Sequence, residues 1–317
     1  MVQYCCIVAH GKLKNRGKVM NDENEYKPLD NAKLLAQCER IKVLISQASQ
    51  TTIGKNMYGA HYHNYILKPP APLKEIRDLE KKHNVSLPEE YVYFLNQVGS
   101  SGAGPGNGFI HDYKRIVFEE HPLEWINTPS EQLETILTDE EWDKRFGEGW
   151  YIQQTMGMTK EEEDFFWNER NKDEKYIPRY AGTICLTATD TTFQVHLIVT
   201  GKYRGKIVYM DWDGDCPPIW AKGCDNFLDW CENWFKEIVA GYTIRAGSFM
   251  YNEIGSEEEL IDCFNQSDDT KYKTQVIYSF LKFPSLSDTA IDFLKNQQDK
   301  FEKAVTYVLE NEGYLPL

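Results

Sequence analysis

Apolar residues recur at three- and four-residue spacing through much of this chain, and at alternate positions in one stretch. Leu34, Cys38, Ile41, Ile45 and Ala48 trace one helical face, with Asp30 placed to cap it and the helix running to about Gln50. Leu73, Ile76, Leu79 and His83 predict a short amphipathic helix ending at Asn84. Directly after it, Ser86-Leu87-Pro88-Glu89 fits a capping box, with Pro88 in the first turn, where its missing N–H costs nothing. Tyr91, Phe94, Leu95 and Val98 then share a face, and Gly99 is expected to stop the helix.

The period changes in the middle of the chain. Residues 183–186, 192–199 and 206–212 read as strands, and Phe193, Val195, Leu197 and Val199 alternate with Gln194, His196 and Ile198. Thr200-Gly201-Lys202-Tyr203-Arg204-Gly205 reads as a hairpin link with glycine at both ends, so the sheet is expected to be antiparallel. Phe227, Trp230, Cys231, Trp234, Phe235 and Ile238 restore the helical period, capped by Asp225 or Asn226 and ended by Gly241. Ser256 with Glu259 opens a helical tail, followed by helices over 272–281, 287–294 and 301–309. Tyr272, Val276 and Tyr278 match Phe301, Val305 and Tyr307 at an offset of 29 residues, which suggests two similar helical hairpins.

These patterns predict an α+β fold, a mostly antiparallel sheet with flanking helices, plus a small all-α C-terminal region. The expected organisation is an N-terminal arm and helix over 1–57, an α+β domain over 58–243 and helical hairpins over 244–317. Stacked arrays generally need three or more units, so the tail is expected to dock on the preceding domain. Basic residues Lys12, Lys14, Arg16 and Lys18 mark the weakly patterned start of the chain.

Charge adds a constraint on partners. The 317 residues carry 35 Lys plus Arg against 49 Asp plus Glu, a net charge of −14, which repels phosphate backbones and argues against nucleic acid. Over 131–175 there are 14 acidic and 6 basic residues, a local charge of −8, interleaved with Trp142, Phe146, Trp150, Tyr151, Phe165, Phe166 and Trp167. Thr138 with Glu141 and Thr159 with Glu162 fit capping boxes within it. Amphipathic helices with a solvated acidic face account for this pattern; so does an acidic docking surface anchored by aromatics. Cys5, Cys6, Cys38, Cys185, Cys216, Cys224, Cys231 and Cys263 form no paired framework, which reads as reduced thiols. The apolar run from Tyr4 to Ala9 is too short for a secretory signal and no stretch is long enough for a membrane span, so a cytoplasmic location is expected.

Several segments invite a chemical reading and fail it. Gly102-Ala103-Gly104-Pro105-Gly106-Asn107-Gly108 has the glycines of a phosphate loop, but it follows a helix, lacks the Lys-Ser/Thr and contains a proline without a donor. A turn needing positive φ at several positions explains it better. His61 and His63 would point the same way on a strand but have no third ligand nearby, and Cys216, Cys224 and Cys231 are too irregularly spaced for zinc. Asp211-Trp212-Asp213-Gly214-Asp215 opens like a calcium loop, yet Cys216 stands where glycine is needed and Lys222 where a bidentate Glu belongs. No nucleophile and orienting acid group with His196, so neither metal, cofactor nor catalytic set is expected.

Taken together, Leu87-Pro88-Glu89-Glu90-Tyr91 with Phe94-Leu95, then Gly102-Ala103-Gly104-Pro105 and Gly108, resembles the signature of the SUKH superfamily of immunity domains. Gly59-Ala60, His63 and Tyr65 upstream, Val199-Thr200-Gly201 with Arg204-Gly205, and Phe227, Trp230 and Trp234 keep the expected order, so the likeness covers 58–241. The chain departs from it at Ser100-Ser101, at Gly106-Asn107 and in the long insert over 138–171. The resemblance implies a non-catalytic intracellular immunity protein that binds and neutralises a cognate polymorphic toxin; the acidity suits a basic effector such as a nuclease. The alternative is a regulatory protein-protein interaction scaffold. Expected partner contacts are Asp211, Trp212, Asp213, Asp215 and Trp220 at one turn, and Glu161, Glu162, Glu163 and Asp164 at another. Leu87, Pro88, Tyr91, Phe94, Gly102, Gly104, Pro105, Gly205, Trp230 and Trp234 are expected to be structural.

Overall fold

The computed structural model of the protein describes residues 26–109, 125–146, 157–171, 179–189, 191–211, 214, 216–243 and 249–311. The basic N-terminal residues 12–18, Trp150, Tyr151, Trp212, Asp213 and Asp215 lie outside them, as do the side chains of Phe146, Phe166 and Trp167. The architecture is α+β, as the sequence pattern implies: helices surround a single four-stranded antiparallel sheet among the described residues.

Helix α1 (Ala32–Ala48) buries the expected face, but its cap is Asn31, whose side chain accepts from the Lys33 and Leu34 amides. Asp30 falls one residue outside, and its carboxylate pairs with Lys27 at 3.4 Å. Two short helices follow, α2 (Thr52–Asn56) and α3 (Ala60–His63), then α4 (Leu73–His83), which closes on Asn84 at φ 49°. Helix α5 (Glu89–Gln97) starts two residues later than a Ser86 cap requires, and no side chain caps it. The Ser86–Glu89 box therefore does not form. Arg204 reaches across instead, its Nη2 donating to the Ser86 carbonyl at 3.1 Å and the Leu87 carbonyl at 2.7 Å. Glu80 takes the Leu87 amide at 2.7 Å, so the turn is held by distant side chains rather than its own. Gly99 is also not a left-handed stop: a Cβ there would lie 2.9 Å from the Lys68 carbonyl oxygen, so the glycine serves close approach.

Helices α6 (Glu131–Glu134), α7 (Asp139–Phe146) and α8 (Lys160–Asn171) occupy the acidic region, and both threonine capping boxes form there. The sheet then runs β1 (Thr183–Ala188), β2 (Phe193–Ile198), β3 (Ile207–Asp211) and β4 (Ile219–Trp220), in that order. Gly201 and Gly205 shape the β2–β3 link at φ 88° and 93°. Alternation along β2 does not separate core from solvent, because both faces are covered. Val195, Leu197, Ile207 and Tyr209 join the main core, while Ile198, Val208 and Met210 pack with Leu133 and Tyr180 on the other side. Helix α9 (Phe227–Val239), capped by Asn226, lies over the first face; Gly241 at φ 89° ends it in a Schellman motif.

The tail comprises α10 (Glu257–Gln266), α11 (Thr270–Ser279), α12 (Asp288–Asn296) and α13 (Gln298–Glu310), and Ser256 with Glu259 forms its capping box. Val276 and Val305 meet in a core of the tail's own, and Tyr278 and Tyr307 stack edge to face at 6.0 Å. The glutamate Glu257 accepts from the Ser287 amide at 3.0 Å and from its hydroxyl, so the starts of α10 and α12 lie side by side. The tail is fastened to α9 by Lys282, fully buried, whose Nζ reaches Glu237 Oε1 and the Glu253 carbonyl at 2.9 Å each. Tyr242 and Phe283 rings flank that ammonium at 5.2 and 5.4 Å.

Candidate functional site

The glycine turn is a packing device. Gly102 sits at φ 106°, exchanges backbone hydrogen bonds with Phe109 in both directions, and would place a Cβ 2.2 Å from the Ile66 carbonyl oxygen. Gly106 and Gly108 also take positive φ, whereas Gly104 does not; its lack of a side chain makes room for the Phe109 ring. Phe109 then meets Phe94, Phe227 and Trp230 with ring centres 5.2 to 6.3 Å apart. Tyr91 stands edge-on to Phe227, Trp234 edge-on to Phe249, and the Trp230 indole donates to the Tyr209 hydroxyl at 2.9 Å. Leu87, Pro88 and Pro105 are buried in the same region. Residues 87–109 therefore converge with Phe227, Trp230 and Trp234 on one aromatic core, and the adjacent cavity beside Pro105, Gly106, Thr187, Trp230 and Trp234 has room for only about 10 Å³, on the order of one water.

His196 lies on the second face of the sheet, sealed by Tyr180, whose ring stacks on it at 4.8 Å and 6°. Its Nδ1 is 2.9 Å from the Thr183 hydroxyl and its Nε2 3.3 Å from Gln194 Oε1. Burial, with the nearby Arg179 guanidinium, holds it neutral with a pKa near 3. Burial likewise pulls His63 down to about 4, where Nδ1 accepts from the Tyr65 amide at 2.9 Å. Both rings take up protons on unfolding near the ordinary 6.5, so their contribution is present above that value and lost as pH falls below it. The stability measured by urea midpoint is expected to fall between pH 6.5 and 4.5 by about 1.4 kcal/mol per pH unit for each histidine, and His196→Gln is expected to flatten that slope. A slope unchanged in His196→Gln would show that the ring is already charged in the folded state.

The HxH pair does not lie on a strand. His61 and His63 occupy the helical turn α3, two residues apart, so the rings diverge. No cluster of three metal-ligating side chains occurs among the described residues. Burial raises the Cys38 and Cys224 thiols to about 12 and Cys231 well above its ordinary value, so these cysteines are unreactive.

The expected partner contacts separate into two groups. Asp211 is not a surface acid: it is 6% exposed, its carboxylate accepts from the Thr192 hydroxyl at 2.6 Å, and its carbonyl accepts from Arg179. Strand pairing through Phe193 pulls it inward. Trp220 is half-buried against Tyr203, ring centres 4.6 Å apart, on the far strand of the sheet. Glu161, Glu162 and Asp164, by contrast, stand in solvent on the first turns of α8, and Glu163 is partly exposed. Phe165 beside them is 66% exposed and Met158 is 40% exposed. Lys160 pairs with Asp164 at 3.0 Å and Glu163 at 3.6 Å, and Glu162 takes the Thr159 amide, so Glu161 has no paired cation among the described residues. The i, i+3 and i, i+4 spacings set Glu161, Glu162 and Phe165 on one side of the helix, and Met158 precedes its first turn. No protein-family model, curated protein or solved structure matches the chain. Among the described residues, no helix is long and apolar enough to cross a membrane.

Proposed function

We propose that this chain is a non-catalytic intracellular immunity protein that occludes a cognate polymorphic toxin, whose basic effector domain docks on the acidic region around α8. The observation that carries the reading is a solvated acidic turn with an aromatic ring projecting from it. Carboxylates steer a basic partner, and a large ring buried on contact supplies the holding energy. The sealed state of His196, the buried thiols and the small apolar cavity support a binding role rather than turnover.

The deciding experiment mixes the purified protein with the toxin domain encoded beside it and measures both binding and toxin activity. Tight binding, weakened at high salt, with inhibition of the toxin is expected. Glu161→Lys combined with Glu162→Lys is expected to slow association at least tenfold, and Phe165→Ser to speed dissociation by a similar factor. Absence of binding to any neighbouring effector overturns the proposal. A second reading, a regulatory interaction scaffold, is favoured by the matched, exposed Tyr278 and Tyr307 on the tail. A cellular partner lost in Tyr278→Ser with Tyr307→Ser, but kept in the α8 variants, would select it.

A further inference from the structure

The structure brings together two segments that contain no carboxylate. No Asp or Glu occurs from residue 40 to 74, nor from 91 to 109, and at the chain's average of 49 acids in 317 residues these 54 positions would hold about eight. The two segments are laced to each other: the Lys68 amide donates to the Ser101 carbonyl at 2.9 Å, the Ala103 amide to the Ile66 carbonyl at 2.9 Å, and Leu67 bridges Gly102. Gly59 approaches Gly106 so closely that a Cβ would lie 2.1 Å from its oxygen. Within the first segment, Tyr58 is 41%, Tyr62 63% and Ile66 68% exposed, with the exposed Lys55 and Lys68 on either side of them in sequence.

The conformation that presents these side chains is held against backbone preference. Asn64 and Tyr65 are consecutive non-glycine residues with positive φ, 47° and 58°, a costly arrangement for an aromatic residue. It is fixed from beneath, by the Tyr65 hydroxyl donating to the Gly54 carbonyl at 2.7 Å and by His63 accepting the Tyr65 amide. The consequence is that Tyr65 turns inward toward Phe235 while its neighbour Ile66 projects into solvent.

We propose that this face, Tyr58, Tyr62 and Ile66 between Lys55 and Lys68, is a second docking surface, which receives an acidic protein segment carrying an apolar anchor. Charge complementarity sets the occupant: two lysines with no opposing carboxylate in either segment attract acids, on a chain whose net charge is −14. Ile66, the most exposed large apolar side chain among the described residues, calls for an apolar side chain in return. A nucleic acid fits less well, because two lysines neutralise few phosphates and isoleucine offers no stacking plane. None of its residues belongs to α8.

The test uses the full chain and fluorescence anisotropy with three labelled probes: a short peptide alternating Glu with Leu, its Lys–Leu counterpart, and an oligo(dT) strand. The Glu–Leu peptide is expected to bind, more weakly as salt rises. Ile66→Ser and Tyr62→Ser are each expected to lose about tenfold, while Phe165→Ser leaves binding unchanged. All three side chains are exposed, so these variants should keep the wild-type melting temperature. Equal binding by Ile66→Ser, preference for the Lys–Leu peptide or the oligonucleotide, or a concentration-dependent dimer abolished by Ile66→Ser each overturns the proposal, the last by showing the occupant to be a second copy of the chain.

Discussion

Replacing Lys282 with methionine is expected to destabilise the protein by about 3–5 kcal/mol, because it leaves the Glu237 carboxylate buried without its cation. The stem fits the same space, so packing is largely retained; what is lost is the ion pair at 2.9 Å and the donation to the Glu253 carbonyl. Burial already raises the Glu237 carboxyl and lowers the Lys282 ammonium from their ordinary values. Each shift shows that desolvation costs more than the partner returns at that site. The sign for the variant follows. A carboxyl whose folded pKa is raised above its unfolded value favours folding while protonated and loses that contribution as pH rises through the folded value. The deficit of Lys282→Met against wild type is therefore expected to be smallest near pH 4 and to widen above it. The second change Glu237→Gln should recover most of the loss. Urea denaturation at several pH values measures both, and a pH-independent deficit that Glu237→Gln does not relieve would show that packing, not the unpaired charge, is responsible.

The second large effect is expected at Gly102. An alanine there must adopt φ 106° and place its Cβ 2.2 Å from a backbone oxygen, that of Ile66, which cannot turn aside. A loss of about 3 kcal/mol or more is expected, from backbone strain with enforced separation of the 66–68 and 101–103 segments. Gly104→Ala is expected to cost less, about 1–2 kcal/mol, since its φ is ordinary and the obstruction is the Phe109 ring at 2.7 Å, which can shift. Thermal melts of the two variants rank them directly; a less stable Gly104→Ala would mean that the aromatic cluster, rather than the bridge, limits the turn.

The contrast between these glycines shows what the sequence could and could not disclose. Periodicity located α1, α4, α9 and the tail helices, because each has one apolar face and a recognisable stop. The Thr138, Thr159 and Ser256 boxes were legible for the same local reason. Where a long-range partner intervenes, local rules fail: Arg204, more than a hundred residues away, takes the carbonyls around Ser86, and no cap forms there. Alternation in β2 was legible, but the pattern does not reveal that Leu133 and Tyr180 cover its second face. The acids of α8 were legible as a surface from composition and spacing. Asp211 was not legible as a buried residue, since its withdrawal depends on Thr192 and Arg179 across the sheet. The Tyr62–Ile66 face was missed altogether, although the stretch from 40 to 74 without a carboxylate was there to be counted.

The side-by-side starts of α10 and α12, joined through Glu257 and Ser287, make the tail a nearest-neighbour array of only two units. In such an array each unit is the other's end cap. Phe264 of the first hairpin has Phe293 and Phe301 of the second as its aromatic neighbours, so a chain truncated after Leu286 would uncover it. Unravelling would then run back toward Lys282, the residue that ties the array to α9. The integrity of the last helix is thereby coupled to a buried charge on α9, over a path with no ligand and no moving part.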